Sequence, residues 1–346
     1  MGFAMPTSVF AADGGTTTKV TEAYISKTFN TVVGKNETFS FKAKPVTGNT
    51  AEVTIPNISF TDSETGSTTK RAKVSFPEWP DAGKYEYTVT ETAATPAITG
   101  EHQKMIMSQA EYTMDVYVTN GDSGLEIANI IVNKTKDDKG TSATGKVDIT
   151  DTDKNGFNFT NTYAQEAGTG TDPTKPDPTY TEDGSLNVTK KINANGGTLD
   201  TKKAFAFTAT FTFPKGTDAT TLGGVKGADG NNIKIGEDGT YQFQLKANEN
   251  MKFTGVPVGT QISVVESAIP NYKGSAESVF NGQKQTPVEA SKYNTAFHVA
   301  NTLGQKQNKV DVTNTYDYVP TTGIIMNTLP YVLMIALCGA ALIAFV

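Results

Sequence analysis

A lysine, a glutamate and an asparagine recur in the same order in the two halves of this sequence. Each half opens with a V/I-x-K run, has a central run that ends in glutamate, and closes with the tetrapeptide TNTY. The six positions are Lys27, Glu91 and Asn161 in the first half, and Lys190, Glu266 and Asn314 in the second. An internal repeat of this kind indicates two copies of one structural unit that carry one shared chemistry.

These residue types can form a covalent bond with each other if they are buried together. Burial disfavours the charged form of lysine, and a fall of about 3.4 pKa units, or roughly 4.6 kcal/mol, would leave half of the amine neutral at pH 7. A neutral amine is a nucleophile, and the asparagine carboxamide is an electrophile. Burial also raises the pKa of a glutamate, which could then carry protons to the departing ammonia. The predicted product is a Lys–Asn isopeptide bond.

The elements that must position these residues are strands. Runs such as KYEYTVT and AFAFTATFTF alternate apolar and polar residues with period two, and no long stretch has helical spacing with caps. The first and last strands of each unit must lie side by side, with lysine and asparagine facing inward. Aromatic residues could supply the apolar surroundings of the first site, namely Phe39, Phe41, Phe157 and Phe159. The fold class predicted is all-β, with two tandem antiparallel β-sandwiches of the immunoglobulin-like kind.

A Gly/Thr/Pro/Asp-rich segment at residues 164–180 is predicted to be a semi-stiff linker between the two domains. The first β-sandwich is then expected over residues 17–163 and the second over 181–318. Each has the length of one domain.

Composition excludes several classes of function. The net charge is −6 and Arg71 is the single arginine, so nucleic acid is not expected as a partner. The one cysteine, Cys338, lies in the apolar C-terminal segment, which leaves the predicted domains without a disulfide or a thiolate metal site. His102 and His298 have no partner motif. No cofactor, no metal and no enzymatic turnover of a substrate are therefore predicted.

The two ends of the chain indicate secretion and surface attachment. Residues 1–12 have the small-residue pattern of a signal-peptide remnant. Residues 319–346 contain the pentapeptide Val319, Pro320, Thr321, Thr322, Gly323, followed by 23 uncharged residues. About 20 apolar residues can span a bilayer as a helix. The pentapeptide resembles the LPxTG sorting signals of sortase substrates with its first residue changed, and such a hydrophobic sorting helix would hold the chain in the membrane only before sorting.

The chain as a whole resembles the streptococcal-type backbone (major) pilins of Gram-positive bacteria, whose isopeptide-linkage domains are related to the B-type domains of collagen adhesins. The similarity is densest in the run YQFQLKANENMKFTGVPVGTQISVVE at residues 241–266, in which VPVG stands for the LPVG of the family. The resemblance implies Lys27–Asn161 and Lys190–Asn314 bonds, with Glu91 and Glu266 as the proton carriers.

Two positions of the second domain leave alternatives open. The run Val312-Thr313-Asn314 departs from the F-T-N of the family, and Asn301 is a rival one strand earlier. Lys191 is likewise an alternative to Lys190, although strand alternation points it to the opposite face.

The resemblance also implies a lysine that accepts the sorted carboxyl group of another subunit. Lys154 lies seven residues before Asn161 and is the first choice, with Lys134 and Lys136 as alternatives. The predicted function is that of a secreted structural protein of the cell surface, a pilus subunit that sortase polymerises or anchors to the cell wall. The predicted partners are sortase and either other pilin subunits or peptidoglycan. The alternative is a monomeric wall-anchored adhesin that binds host matrix or glycan, for which the sequence marks no host-ligand site.

Overall fold

Period-two segments of the sequence form the strands of a nearly all-β protein, seen in a computed structural model that describes residues 19–46, 48 and 50–318. The elements of the first part of the chain are strands, in order β1 (Tyr24–Thr31), β2 (Glu37–Pro45), β3 (Ile58–Phe60), β4 (Gly66–Lys73), β5 (Gly83–Thr95), β6 (Gln103–Ile106), β7 (Glu111–Gly121), β8 (Gly124–Lys136), β9 (Ser142–Lys146) and β10 (Asn158–Gln165). A short helix and further strands follow, in order α1 (Pro178–Asp183), β11 (Leu186–Asn193), β12 (Phe205–Thr212), β13 (Thr240–Leu245), β14 (Asn250–Phe253), β15 (Gln261–Glu266), β16 (Tyr272–Phe280), β17 (Gln283–Lys284), β18 (Val288–Glu289), β19 (Phe297–Thr302) and β20 (Lys309–Tyr316).

The first part of the chain is built from two sheets. One has the strand order β4-β1-β10-β6 and the other has the order β3-β2-β5-β7-β8-β9. Their inward faces share one apolar core, in which the rings of Phe29, Phe39 and Phe60 lie with centroids 5.2 to 5.8 Å apart. Alternation along each strand sends one set of side chains into this core and the other towards solvent.

The second part repeats the arrangement with its own core. One sheet has the order β14-β11-β20-β16-β17, with β18 also paired to β16, and the other has the order β13-β12-β15-β19. Phe207, Phe211 and Phe253 are among the side chains buried between them. The prediction of an all-β protein with tandem β-sandwiches is thereby confirmed, and the predicted C-terminal sorting helix lies outside the described residues.

The first and last strands of each β-sandwich are neighbours, and they run parallel. Strand β1 pairs with β10 and β11 pairs with β20, whereas the other strand pairs are antiparallel. Lys27 is level with Phe159, and Lys190 is level with Val312. Because side chains alternate between faces, Asn161 and Asn314, two residues further on, face the same side of the sheet as the two lysines.

The beginning of the segment predicted as a linker is more tightly packed than its composition indicates, whereas residues 171–180 are mostly exposed. Residues 164–170 are buried, and their main chain bonds to the second β-sandwich. Ala167 N–H donates to Val256 O at 2.9 Å, and Val258 N–H donates to Gln165 O at 2.7 Å. The physical reason is that main-chain groups in loops of the second domain form hydrogen bonds with this stretch. Its own N–H and C=O groups therefore do not need water as a partner. The exact boundaries of the two domains stay a prediction.

In the part of the chain that the structure describes, no helix is long and apolar enough to cross a membrane.

Candidate functional site

Each β-sandwich encloses one lysine almost completely. Lys27 is 0% exposed and Lys190 is 1% exposed. The Nζ atom of Lys27 lies 4.1 Å from the ring centroid of Phe39, and that of Lys190 lies 3.9 Å from the centroid of Phe205. Strand alternation causes this burial, since both residues occupy inward positions of the first strand of their domain.

A buried glutamate reaches each lysine from the facing sheet. Glu91 of β5 accepts a hydrogen bond from Lys27 Nζ, and Glu266 of β15 accepts one from Lys190 Nζ at 2.9 Å. The side chains of the two glutamates are 0% and 3% exposed. At Glu91 the register of β5 against β2 shifts, because Thr92 has no partner between the Phe41–Glu91 and Ser40–Ala93 pairs. Such a bulge bends the strand locally and aims the side chain beside it.

An asparagine completes each cluster from the last strand. Asn161 is 0% exposed, and its Nδ2 donates to Glu91 Oε1 at 2.5 Å. Asn314 is 1% exposed; its Oδ1 accepts from Lys190 Nζ, and its amide also bonds Glu266. The two clusters therefore bring together the residues of the repeated Lys…Glu…Asn order.

Burial moves the pKa values of these groups towards the neutral forms. It lowers the pKa of Lys27 and that of Lys190 to about 8, although the neighbouring glutamate opposes the change in each case. It raises the pKa of Glu91 and that of Glu266 against the opposing effect of the lysine. With a pKa of about 8, about one lysine in ten is a neutral nucleophile at pH 7. The arrangement can thus hold an amine, a carboxamide and a proton carrier together away from water.

The two rival residues of the second domain lie elsewhere. Asn301 belongs to β19, where it is level with Ile262 and its Nδ2 donates to Gln285 Oε1 at 3.3 Å. Lys191 is exposed, on the opposite face of β11 from Lys190. Neither residue takes part in the buried cluster.

The candidate acceptor lysines occupy different surroundings. Lys154 is exposed in the turn before β10. Lys134 lies with Nζ 5.3 Å from the ring centroid of Tyr112, and Lys136 forms an ion pair with Glu111 at 3.2 Å. Lys154 thus has its side chain in solvent, where another chain could reach it. The predicted sorting pentapeptide at residues 319–323 and the predicted signal-peptide remnant at residues 1–12 lie outside the described residues.

Two further residues of the first site, Ser108 and Asp138, were not predicted from the sequence. The main-chain N–H of Ser108 donates to Asn161 Oδ1 at 2.8 Å. Asp138 Oδ1 accepts from Ser108 Oγ at 2.5 Å and from Thr160 N–H at 2.8 Å. Both residues are in loops between strands, and neither takes part in the repeat, so no sequence signal marks them.

Two further groups of titratable side chains lie outside these clusters. His102 Nδ1 lies 2.6 Å from Glu166 Oε2 at the domain junction. Arg71 forms ion pairs with Asp151 at 2.8 Å and with Asp153 at 3.3 Å. No group of three or more metal-ligating side chains occurs among the residues described.

Comparison with known proteins assigns the two parts of the chain to two domain families. Residues 23–164 match the family described as "Spy0128-like isopeptide containing domain", and residues 184–316 match a domain of unknown function, DUF7601. No curated protein matches the chain in sequence.

Solved structures that the chain matches include major pilins. The major pilin of Streptococcus pyogenes is 20% identical, with 86% of this chain and 99% of that chain covered and a TM-score of 0.35. The T3.2 major pilin of the same organism is 21% identical, with 87% and 99% covered and a TM-score of 0.34.

The match over residues 23–164 defines the class of the first β-sandwich as a pilin-type isopeptide domain. This match covers the first part of the chain, and it supports the resemblance to Gram-positive backbone pilins that the sequence motifs indicated.

Proposed function

We propose that this chain is a structural subunit of a cell-surface pilus, in which each β-sandwich is closed by a Lys–Asn isopeptide bond. The single observation that carries the proposal is the burial of the same three residue types on corresponding strands in both domains, with the same offset between the lysine and the asparagine. Lys27 and Asn161 meet Glu91 in one, and Lys190 and Asn314 meet Glu266 in the other.

The reaction needs no external reagent. The neutral lysine Nζ attacks the asparagine Cγ and forms a C–N bond, while the carbonyl electron pair moves onto Oδ1. The protonated glutamate gives its proton to the asparagine Nδ2, and it regains one from the former amine. Collapse of the tetrahedral carbon breaks the Cγ–Nδ2 bond and releases ammonia. One secondary amide replaces an amine and a carboxamide, and the glutamate returns to its starting form.

The strand order supports a mechanical role for these bonds. Because the first and last strands are adjacent and parallel, the chain enters a domain at one end and leaves it at the other. Tension on the chain therefore pulls the two strands past each other, and a bond between them would carry the load. A crosslink that closes a loop of about 100 residues also stabilises the fold by about 4.7 kcal/mol on the loop-entropy model.

Polymerisation is assigned to sortase in this proposal. Sortase would cleave between Thr322 and Gly323, and the Thr322 carboxyl would form an amide with a lysine of another subunit or with peptidoglycan. Lys154 is the proposed acceptor, since it is exposed and precedes the crosslinked strand β10. The mature protein would then lie at the cell surface, and the membrane would be a partner only before sorting.

Intact mass measurement of the purified chain tests the proposal. Two bonds remove two molecules of ammonia, or about 34 Da, whereas hydrogen bonds and ion pairs leave the mass unchanged. An unmodified mass in freshly folded protein would exclude the self-crosslinking mechanism. A monomeric wall-anchored adhesin could share the bonds, so the second measurement is a high-molecular-weight ladder formed with the cognate sortase. Its absence would favour the adhesin.

A further inference from the structure

The two clusters differ in what faces the carbonyl oxygen of the asparagine. In the second β-sandwich Asn314 Oδ1 accepts from the lysine amine itself. In the first, Asn161 Oδ1 accepts from the main-chain N–H of Ser108 at 2.8 Å, and Nδ2 faces Glu91 at 2.5 Å. A main-chain N–H can only donate, so the atom opposite it must be the carbonyl oxygen. The orientation of the Asn161 carboxamide is therefore fixed with the leaving nitrogen on the glutamate.

This orientation matters because charge develops on Oδ1 when the lysine attacks Cγ. A donor that already points at this oxygen stabilises the tetrahedral state without any rearrangement. We propose that the Ser108 main-chain N–H is the oxyanion-stabilising donor for bond formation in the first domain, and that Asp138 is the residue that positions it. The proposal rests on the isopeptide function proposed above and adds to it a device that the second domain lacks at the corresponding oxygen.

Asp138 forms hydrogen bonds with the loop that contains Ser108 and with the strand that contains Asn161. Its Oδ1 accepts from Ser108 Oγ at 2.5 Å and from Thr160 N–H, the neighbour of Asn161, at 2.8 Å. Its main-chain oxygen accepts from Gln109 N–H at 3.0 Å. Two of these bonds hold the loop between β6 and β7 to Asp138, and the third holds Asp138 to β10. Since Ser108 is in that loop and only 8% exposed, its N–H has little freedom to turn away.

The charge of Asp138 also acts on the reacting groups. The titratable groups in the cluster are Lys27, Glu91 and Asp138, with Tyr112 beside them. A negative charge nearby disfavours a second one, so Asp138 adds to the rise in the pKa of Glu91 that burial causes. It also raises the pKa of Lys27 against the larger lowering by burial. Removal of this charge should lower both pKa values and shift the pH profile of bond formation to lower pH.

The experiment follows both crosslinks in one molecule. The full chain is synthesised in a cell-free system and chased at several pH values. After trypsin digestion, mass spectrometry quantifies the peptides that join Lys27 to Asn161 and Lys190 to Asn314. The second crosslink is the internal control for synthesis of the chain and for assay pH, because no contact of Asp138 reaches it, and protease resistance of the first domain before the chase is the control for its folding.

Three variants distinguish the positioning effect of Asp138 on the Ser108 N–H from the effect of the Asp138 charge. Asp138→Asn should slow the first crosslink about 10-fold and shift its pH profile to lower pH, as both the tether and the charge change. Ser108→Ala keeps the N–H and the charge of Asp138 but loses the hydroxyl tether. It should slow the first crosslink several-fold with an unchanged pH profile. Asp137→Asn is the matched control in the same turn, since Asp137 Oδ1 bonds only Lys139 and Thr141 N–H within that turn.

The outcomes are distinct. First-crosslink rates and pH profiles equal to wild type in Asp138→Asn and Ser108→Ala would overturn this inference and leave the proposed function intact. An equal effect of Asp137→Asn would overturn it as well, because turn stability alone would then explain the result. Absence of both crosslinks from the wild-type chain would overturn the proposed function itself.

Discussion

Asn161 lies two residues beyond the position level with Lys27 on the neighbouring parallel strand, and Asn314 has the same offset from Lys190. The shared offset places each amine and carboxamide on one face of a sheet, diagonal to each other. A lysine side chain is long enough to reach such a neighbour, while a one-residue offset would send the asparagine to the other face. Two domains of different sequence families thus have the same offset between the lysine and the asparagine, which a bond between these two side chains requires.

Loss of the proton carrier should prevent one crosslink at a time. Glu91→Gln and Glu266→Gln keep the side-chain shape but cannot deliver a proton to the leaving nitrogen. Each variant should therefore weigh about 17 Da more than the crosslinked wild type, after correction for the substitution. The unfolding free energy of the affected domain should fall by about 4 kcal/mol, since its terminal strands are no longer joined.

The measurements for this prediction are intact mass and thermal or denaturant unfolding. Glu111→Gln is the control, as this half-buried glutamate pairs with Lys136 outside the cluster. A full loss of about 34 Da in Glu91→Gln would contradict a proton-carrying role for Glu91.

Crosslink formation should have a bell-shaped dependence on pH. The neutral fraction of Lys27 and Lys190 grows as the pH rises through about 8, where their lowered pKa values lie. The acid fraction of Glu91 and Glu266 falls as pH rises through their raised pKa values. The rate should be greatest between the two pKa values, and it should fall up to tenfold per pH unit on either side.

Pulse-labelled chain, chased at pH 5 to about pH 10 and quenched for mass analysis, measures this profile. A rate that keeps rising up to the alkaline end would mean that the amine alone limits the reaction and that the glutamate acid has no part in it.

The sequence could predict the strands and, apart from the alternatives Lys191 and Asn301, the residues of each cluster, because alternation and an internal repeat are both visible in the order of the residues. Period-two alternation marks the strands, and the repeat places Lys27 and Asn161 near the two ends of one domain. These distant residues are neighbours because β1 and β10 pair in parallel. The residue pattern of either strand alone does not predict this pairing.

Other features depend on contacts that local patterns do not encode. Ser108 and Asp138 are in separate loops, and only tertiary packing places them next to Asn161. The same is true of residues 164–170, whose Gly/Thr composition is typical of an exposed linker. This stretch can be buried because its main chain forms hydrogen bonds with main-chain groups of the second domain.

Two pairs of variants discriminate the residues of the second domain. Lys190→Ala and Asn314→Ala should each prevent the second crosslink, so that each variant weighs only about 17 Da less than its own sequence mass instead of about 34 Da less. Lys191→Ala and Asn301→Ala should leave the crosslinks complete, as these side chains lie outside the cluster. Intact mass reads all four variants. Loss of the second crosslink in Asn301→Ala but not in Asn314→Ala would exchange the two assignments.

Replacement of the acceptor lysine should separate polymerisation from self-crosslinking. Lys154 is exposed before β10 and makes no contact with the buried cluster, so Lys154→Ala should fold and form both internal bonds. Co-expressed with the cognate sortase, wild-type chain should give a ladder of covalent polymers on a denaturing gel, and Lys154→Ala should give none. Lys139→Ala is the matched control, because Lys139 is also an exposed turn lysine of the first domain. A ladder that persists in Lys154→Ala and disappears in Lys134→Ala or Lys136→Ala would move the acceptor to β8. A ladder that persists in all of these variants would place it on none of the three lysines.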